Sequence, residues 1–525
     1  MTSEAGVPPV AAGHADGPAA VDGAVTAATG WRRLDRRTVL VSALLTAGVA
    51  AGAAVPAGLG LAGRIGLPAA AVCVLAGALV LIGCAAAGDY VRWRRTRYRI
   101  GAERVELHSG LLLLKRRSLP LERVRSVDLT AHLLQRVLGL VTVRIGTGEH
   151  SGESTLELDP VSRQEGERLR RELLERGVAA VPGPHREGEL AVLDPRWIRY
   201  APVSFVAPAL GGAAGGAVMQ VSDWFGAQGK VIDWVGDRFR DTALPAVIGI
   251  LALAVLAAGV VGALGLWVEM WWNYRLEREP GGTLRVRRGL LTSRSVSIEE
   301  RRLRGVDLVE PLGVRLFGAA RVDAITTGLA KGDDEQHGDH NTLLPVAPRP
   351  VADAVAAGVL REAVSPTGAP LTGHPPAARG RRLRRALWAV AVPVLVLVVL
   401  GVLLTPVLLW CALACAVVGL PVGLLLARGS YRALGHALSG DYLVVRSGPV
   451  RRSTAALERA GVIGWTVRQT YFQRRSGVLS VTATTAAGAG AYTAHDTDAS
   501  EGLDFAARAV PGLLEPFLER TGQTD

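Results

Sequence analysis

Two groups of residues have the types and spacing to do chemistry. The first is Asp333-Asp-Glu-Gln-His337-Gly-Asp-His340, which gathers carboxylates and imidazoles of the kind that hold a divalent metal. The second is basic. Lys115, Arg116 and Arg117 lie together, and Arg285, Arg287, Arg288 and Arg294 lie together further on, a pattern suited to phosphate-bearing lipid headgroups or to an acidic partner surface. Catalysis needs a nucleophile beside a base, a carboxylate pair or a metal cluster of fixed geometry, and no spacing here specifies any of them. The acidic segment has no framework to fix ligand positions, so it reads as a solvated loop. The expectation is therefore a protein without enzymatic activity, metal or cofactor. Cys73, Cys84, Cys411 and Cys415 sit in apolar runs and read as packing residues.

The background of these residues excludes an ordinary soluble enzyme. The chain has 525 residues, 49% of them hydrophobic and only 20% charged, and a mean hydropathy of +0.27 that soluble domains rarely reach. Net charge is +12, and the only lysines are Lys115, Lys230 and Lys331, so the excess is arginine. Those arginines flank apolar stretches, with neither a recognition helix nor an aromatic stacking platform, which argues for a membrane and against nucleic acid.

Charge-free stretches lie between Arg37 and Arg64, Arg64 and Asp89, Arg199 and Asp223, Asp241 and Glu269, and Arg385 and Arg428. A spanning helix needs roughly 20 apolar residues, and the last stretch is long enough for two, broken at Thr405-Pro406. This predicts six transmembrane helices in three hairpins, at 38–88, 200–268 and 386–427. Arg32, Arg33, Arg36 and Arg37 precede the first span, Arg92, Arg94, Arg95 and Arg97 follow the second, and Arg379 to Arg385 precede the fifth, which places those flanks and the N-terminus in the cytoplasm. Trp271, Trp272, Tyr274, Tyr90 and Trp93 are expected as interfacial anchors. The segment Asp223 to Trp234 is expected as an amphipathic helix on the outer surface, and the run Gly211 to Gly216 as a close helix contact.

A polar segment follows each hairpin, and the three segments align without gaps. With Gly110, Gly289 and Gly448 as origins, Gly139, Gly318 and Gly477 recur at one offset, each preceded three residues earlier by Arg136, Arg315 or Arg474. Val124, Leu303 and Val462 form another column, as do Val143, Val322 and Val481. The first two copies also share Arg125 and Arg304, Val127 and Val306, and Asp128 and Asp307, where the third has Ile463, Trp465 and Thr466; the third copy has diverged. The first glycine suits a turn between strands, since Val105 to Ser109 alternates with period two. Arg163 to Glu175 puts Leu169, Leu173 and Leu174 on one helical face. Each copy is thus a small antiparallel β-roll closed by a helix.

The run Tyr98-Arg-Ile, Ser109-Gly110-Leu, Ser118-Leu-Pro-Leu-Glu-Arg123-Val, Gln135-Arg136 and Gly139-Leu resembles the bacterial pleckstrin-homology-like domains of membrane proteins of the YdbT type. The resemblance implies an α+β membrane protein in which each hairpin is followed by a cytoplasmic PH-like module with a C-terminal helix. It implies no catalytic residues. The expected organisation is a disordered tail over 1–30, PH-like modules at 89–178, 269–363 and 428–520, a linker at 179–198 and a basic Pro/Gly linker at 364–385. The family's association with cell-envelope defence points to a protein-interaction or assembly scaffold in envelope maintenance or stress tolerance. Its partner would be a smaller PH-like membrane protein of the same family, or a second copy. The alternative is an anionic-lipid sensor using the basic turns. A transporter ranks third, because the spans lack the ionisable residues that mark ion routes.

Overall fold

The computed structural model describes residues 30–517 apart from 102, 110–114, 125, 147–154, 176–187, 204–205 and 328–340. Gly110, Arg125 and the acidic segment 333–340 lie outside the described residues.

The chain begins with a two-residue strand, β1 (Arg32–Arg33), then two long apolar helices, α1 (Arg37–Ile65) and α2 (Leu67–Arg95), that pack on one another across Gly66. Gly66 turns the chain with φ +83°, which a side chain would resist. The first module follows: β2 (Arg97–Ile100), β3 (Arg104–Ser109), β4 (Lys115–Pro120), β5 (Ser126–Ala131), the one-turn helix α3 (Leu133–Val137), β6 (Leu140–Gly146), β7 (Thr155–Ser162) and helix α4 (Arg163–Glu175). Alternation buries Val127, Val143, Ile145 and Leu158 beneath Leu169 and Leu173 of α4, as its helical periodicity predicts.

The pattern then repeats. Strand β8 (Gly188–Val192) precedes α5 (Val206–Trp224), α6 (Gln228–Arg238) and α7 (Leu244–Trp271). The second module is β9 (Arg275–Glu279), β10 (Thr283–Arg288), β11 (Ser293–Glu299), β12 (Leu303–Pro311), α8 (Leu312–Leu316), β13 (Ala319–Thr326), β14 (Thr342–Pro348) and α9 (Arg349–Leu360). Helices α10 (Pro376–Leu403) and α11 (Val407–Arg432) lead to the third: β15 (Gly435–Ser439), β16 (Tyr442–Ser447), β17 (Arg451–Glu458), β18 (Val462–Arg468), α12 (Tyr471–Arg474), β19 (Val478–Thr485), β20 (Ala491–Asp498) and α13 (Ala499–Ala509).

Among the described residues, five helices, α1, α2, α7, α10 and α11, are long and apolar enough to cross a membrane, and α5 joined to the turn before it brings the number to six. Their large apolar side chains, among them Leu79, Leu253 and Leu395, point outward, as lipid-facing residues do. In the α5–α7 pair the crossing is close at Gly211 and Gly259, where a methyl group would run into the carbonyls of Val255 and Ala207, whereas Gly212, Gly215 and Gly216 face open space. Helix α6 leaves Ile232 and Trp234 exposed.

The described parts of two segments expected as linkers form regular structure. β8 pairs with β9 as an additional sheet strand, as β1 does with β2, and Thr372 bridges His436 at the corresponding place in the third module. The basic stretch before the fifth span is already helical from Pro376, and Arg381 there is buried against Asp496.

The modules are not separate sheets. Strand orders are β1-β2-β3-β4, then β7-β6-β5-β11-β10-β9-β8, then β14-β13-β12-β17-β16-β15, then β18-β19-β20. The second sheet of module one is therefore continuous with the first sheet of module two through β5 and β11, and module two joins module three through β12 and β17. The second seam also shares core: Val444 and Ala456 of module three pack in the core of module two, and Ile325 of module two in that of module three.

Candidate interaction surface

The turn glycines set the membrane-facing geometry. Gly289 adopts φ +111° and Gly448 φ +102°, and a side chain at either would strike the carbonyl of Thr292 or Arg451. The Gly289 turn docks on the end of α7: Gly289 N donates to Trp272 O at 2.8 Å, and the amides of Leu291 and Thr292 donate to the Glu269 carboxylate at 2.9 Å each. In module three, Arg446 beside the Gly448 turn donates to Ala433 O at the end of α11. The turns thus lie where the apolar helices end. Gly139, Gly318 and Gly477 take φ +72°, +64° and +64° after α3, α8 and α12, ending each one-turn helix in the left-handed conformation.

The basic candidates divide into two sets. Arg287 and Arg294 are exposed on either side of the Gly289 turn, and Arg116 is exposed on β4, with Arg117 half-buried and Lys115 paired with Ser109 in the sheet. Arg285 and Arg288 are buried. Arg288 stacks on the Trp271 ring, 4.4 Å from its centroid. Arg285 donates to Glu167 at 2.6 Å and Glu279 at 3.0 Å, and Arg170 of α4 holds Glu279 at 2.8 Å and Ser297 at 3.1 Å. Burial pushes the Glu167 and Glu279 carboxyls up, but hydrogen bonds and charge from Arg285 and Arg170 outweigh it and hold both below the usual carboxylate range. This network crosses from module one to module two.

Other repeat-defining arginines also serve seams. Arg136 donates to Leu290 O at 2.6 Å and Arg302 to Val124 O at 2.9 Å, both between modules one and two. Between modules two and three, Arg304 pairs with Glu458 at 2.8 Å and Ser453 donates to Asp307 at 2.6 Å. Arg315 is half-buried, and Arg474 is exposed.

Several aromatics expected as bilayer anchors instead lock helix ends to modules. Trp93 is buried and donates to Leu34 O at 2.8 Å, and Tyr274 is buried and donates to Leu343 O. Trp271 is buried too, while Trp272 and Tyr90 are exposed. An indole or phenol in a core needs a partner, and a carbonyl across the junction supplies one.

The third module carries a histidine pair that sequence reading missed. His436 Nδ1 lies 3.1 Å from His374 Nε2, and His374 Nδ1 is 2.7 Å from His495 O. Burial, then the neighbouring His374 and Arg508, push His436 down to about 4. A histidine whose folded pKa lies below its unfolded value near 6.5 stabilises the fold above pH 6.5, and that stability is lost as pH falls toward 4. Thermal melts of the protein should lose roughly 2 kcal/mol more between pH 6.5 and 4.5 than those of His436→Phe, in which the buried His374 and His495, also held down by burial, still titrate. An unchanged pH profile in that variant would remove His436 as the cause.

The fold and its repeated surface define a membrane protein built from tandem PH-like modules. Residues 54–177, 239–363 and 389–511 each match the bacterial PH domain family, and the chain belongs to that family. It is similar to the UPF0699 transmembrane protein YdbT of Bacillus subtilis (strain 168), with 23% identity over 419 residues that cover 75% of this chain and 80% of that protein. No solved structure matches.

Proposed function

We propose that this protein is a non-enzymatic scaffold of the cytoplasmic membrane, acting in envelope maintenance or stress tolerance. Six spans form three hairpins, and the N-terminus and three modules face the cytoplasm, each β-roll closed by its C-terminal helix. The observation that carries the reading is the continuity of sheet through both seams. Strand pairing at both seams, with the Arg285–Glu167 network at the first and shared core at the second, holds neighbouring modules in one register, so they present a composite surface rather than three independently tethered binding sites. The arginine-rich flanks support the orientation.

Photo-crosslinking in native membranes, with probes beside Gly110 and beside Gly289, tests it. A discrete protein adduct is expected. Lipid adducts alone would overturn the scaffold and favour an anionic-lipid sensor, a reading supported by the exposed Arg287, Arg294 and Leu291 where the turn meets the end of α7. Each such arginine near an anionic leaflet contributes about 1 kcal/mol, screened by salt.

A further inference from the structure

The second sheets of modules one and two are each extended by a strand of the following module. Among the described residues, β18, the counterpart of β5 and β12, forms the edge of its sheet. β4, the counterpart of β11 and β17, forms the edge at the other end of the array. We propose that β18 is a docking edge for an antiparallel strand of a different membrane-attached chain carrying a PH-like module, and that β4 is a closed end. The proposal rests on the scaffold reading and names that scaffold's partner class.

The two internal seams use one register. β5 sets Leu129 opposite Ser295 and Thr130 opposite Arg294; β12 sets the equivalent Leu308 opposite Thr454 and Val309 opposite Ser453. An arrangement made twice by the same fold is the template for a third. On β12 the seam buries Val306, Leu308 and Val309. On β18 Val467, the counterpart of Leu308, is 41% exposed and Arg468, the counterpart of Val309, is exposed, while Trp465, the counterpart of Val306, packs partly buried on the core of its own module. The glycine column makes the same point. A methyl group at Gly305 would run into the Ala456 carbonyl of the neighbouring module, whereas nothing lies within 4 Å of a methyl group at Gly464. The bare strand Val462-Ile-Gly-Trp-Thr-Val-Arg468 carries one charge, at its end, and lacks the lysines and prolines that blunt free edges.

β4 is built the other way. Lys115-Arg-Arg-Ser-Leu-Pro120 places cations and a proline on the free edge, as terminal caps of repeat arrays do. In the seam register, a second copy of this chain would set Arg116 opposite Val467, Arg117 opposite Thr466 and Lys115 opposite Arg468. The internal seams place Ser295 or Thr454 at the first of these positions and Ala455 at the second. The internal seams bury Ser295, Thr454 and Ala455 at these positions, so Arg116 and Arg117 would lose water facing Val467 and Thr466, with no carboxylate opposite either. The strand that fits β18 has small or hydroxyl side chains where β4 has arginines. Because both internal seams join modules that carry their own apolar helices, a partner docked this way shares the same bilayer.

A second copy with its cap removed can stand in for the partner. Full-length protein with Cys73, Cys84, Cys411 and Cys415 changed to Ala is co-expressed as two tagged forms, one R468C and the other K115C, and oxidised in native membranes. With Arg116 and Arg117 retained, little inter-tag disulfide is expected. With R116S/R117V, the residues found at these positions in β11, the adduct should rise at least tenfold, and R116T/R117A, the residues of β17, should do the same. Equal adduct with the cap retained would overturn the proposal by making a second copy the natural occupant. No adduct in either uncapped form would show that β18 accepts no strand. Neither result touches the turn-directed probes, so the scaffold reading stands or falls separately.

Discussion

Arg285→Ala is expected to lower the stability of the folded protein by about 3 kcal/mol, while Arg287→Ala, two residues along the same strand, changes it by less than about 0.5 kcal/mol. The difference comes from place, not chemistry. Arg285 lies within the seam with Glu167, Glu279 and Ser295 around it, and Arg287 is exposed beside the turn. Removing the guanidinium leaves two partly buried carboxylates with Arg170 as their remaining cation, and a buried charge stripped of its partner is costly. Because Arg170 and Arg285 share Glu279, the double alanine variant should lose less than the two single losses added together. The same network has a pH signature. Both glutamates are held below their unfolded pKa, so their contribution is full above about pH 4.3 and lost as pH falls through the folded values. Thermal melts of the full-length variants in detergent check all three statements. Equal losses from Arg285→Ala and Arg287→Ala would refute the seam network as a source of stability.

Gly305→Ala should destabilise the protein by about 3 kcal/mol, and Gly464→Ala, the same column one module later, by less than about 0.5 kcal/mol. Gly305 adopts φ +155°, and its missing side chain makes room for the Ala456 carbonyl across the second seam. A methyl group there imposes backbone strain and forces β12 and β17 apart. Gly464 has open space instead. Limited proteolysis should show the alanine at 305 exposing sites between modules two and three, and comparable digestion of both variants would contradict the seam geometry. In module one the column holds Ser126, which is tolerated because the first seam pairs β5 only from Leu129 to Ala131, beyond that residue.

The ungapped columns make the repeat legible in the sequence alone. Glycines at fixed offset, with φ near +105° in the turns and near +65° after the one-turn helices, are demanded by local backbone geometry, which a sequence records directly. Apolar helices are legible for a similar reason, since lipid imposes composition on each segment alone. One column carries a different meaning from the one its letters suggest. Asp307 is shared with module one as Asp128 and lost in module three as Thr466, which in sequence looks like drift. In module two it serves the seam, where Asp307 accepts from Ser453, and it is missing in the module whose strand β18 lies at a sheet edge among the described residues. The basic candidates show the opposite case. Arg285, Arg287 and Arg288 stand within four residues of one another, yet a strand sends alternate side chains to opposite faces, and which face met another module was not written in the local pattern.

A membrane-embedded chain, three copies of one PH-like module and the turns that shape them follow from the order of residues alone, because each depends on residues close along the chain or on composition. That the modules share sheets, that Arg285 serves a seam, and that β18 and β4 are the edge strands left at the two ends of the described array emerges only once the chain is folded. Strand pairing between modules joins segments more than a hundred residues apart through backbone groups common to every residue, and such bonds leave little trace in side-chain identity.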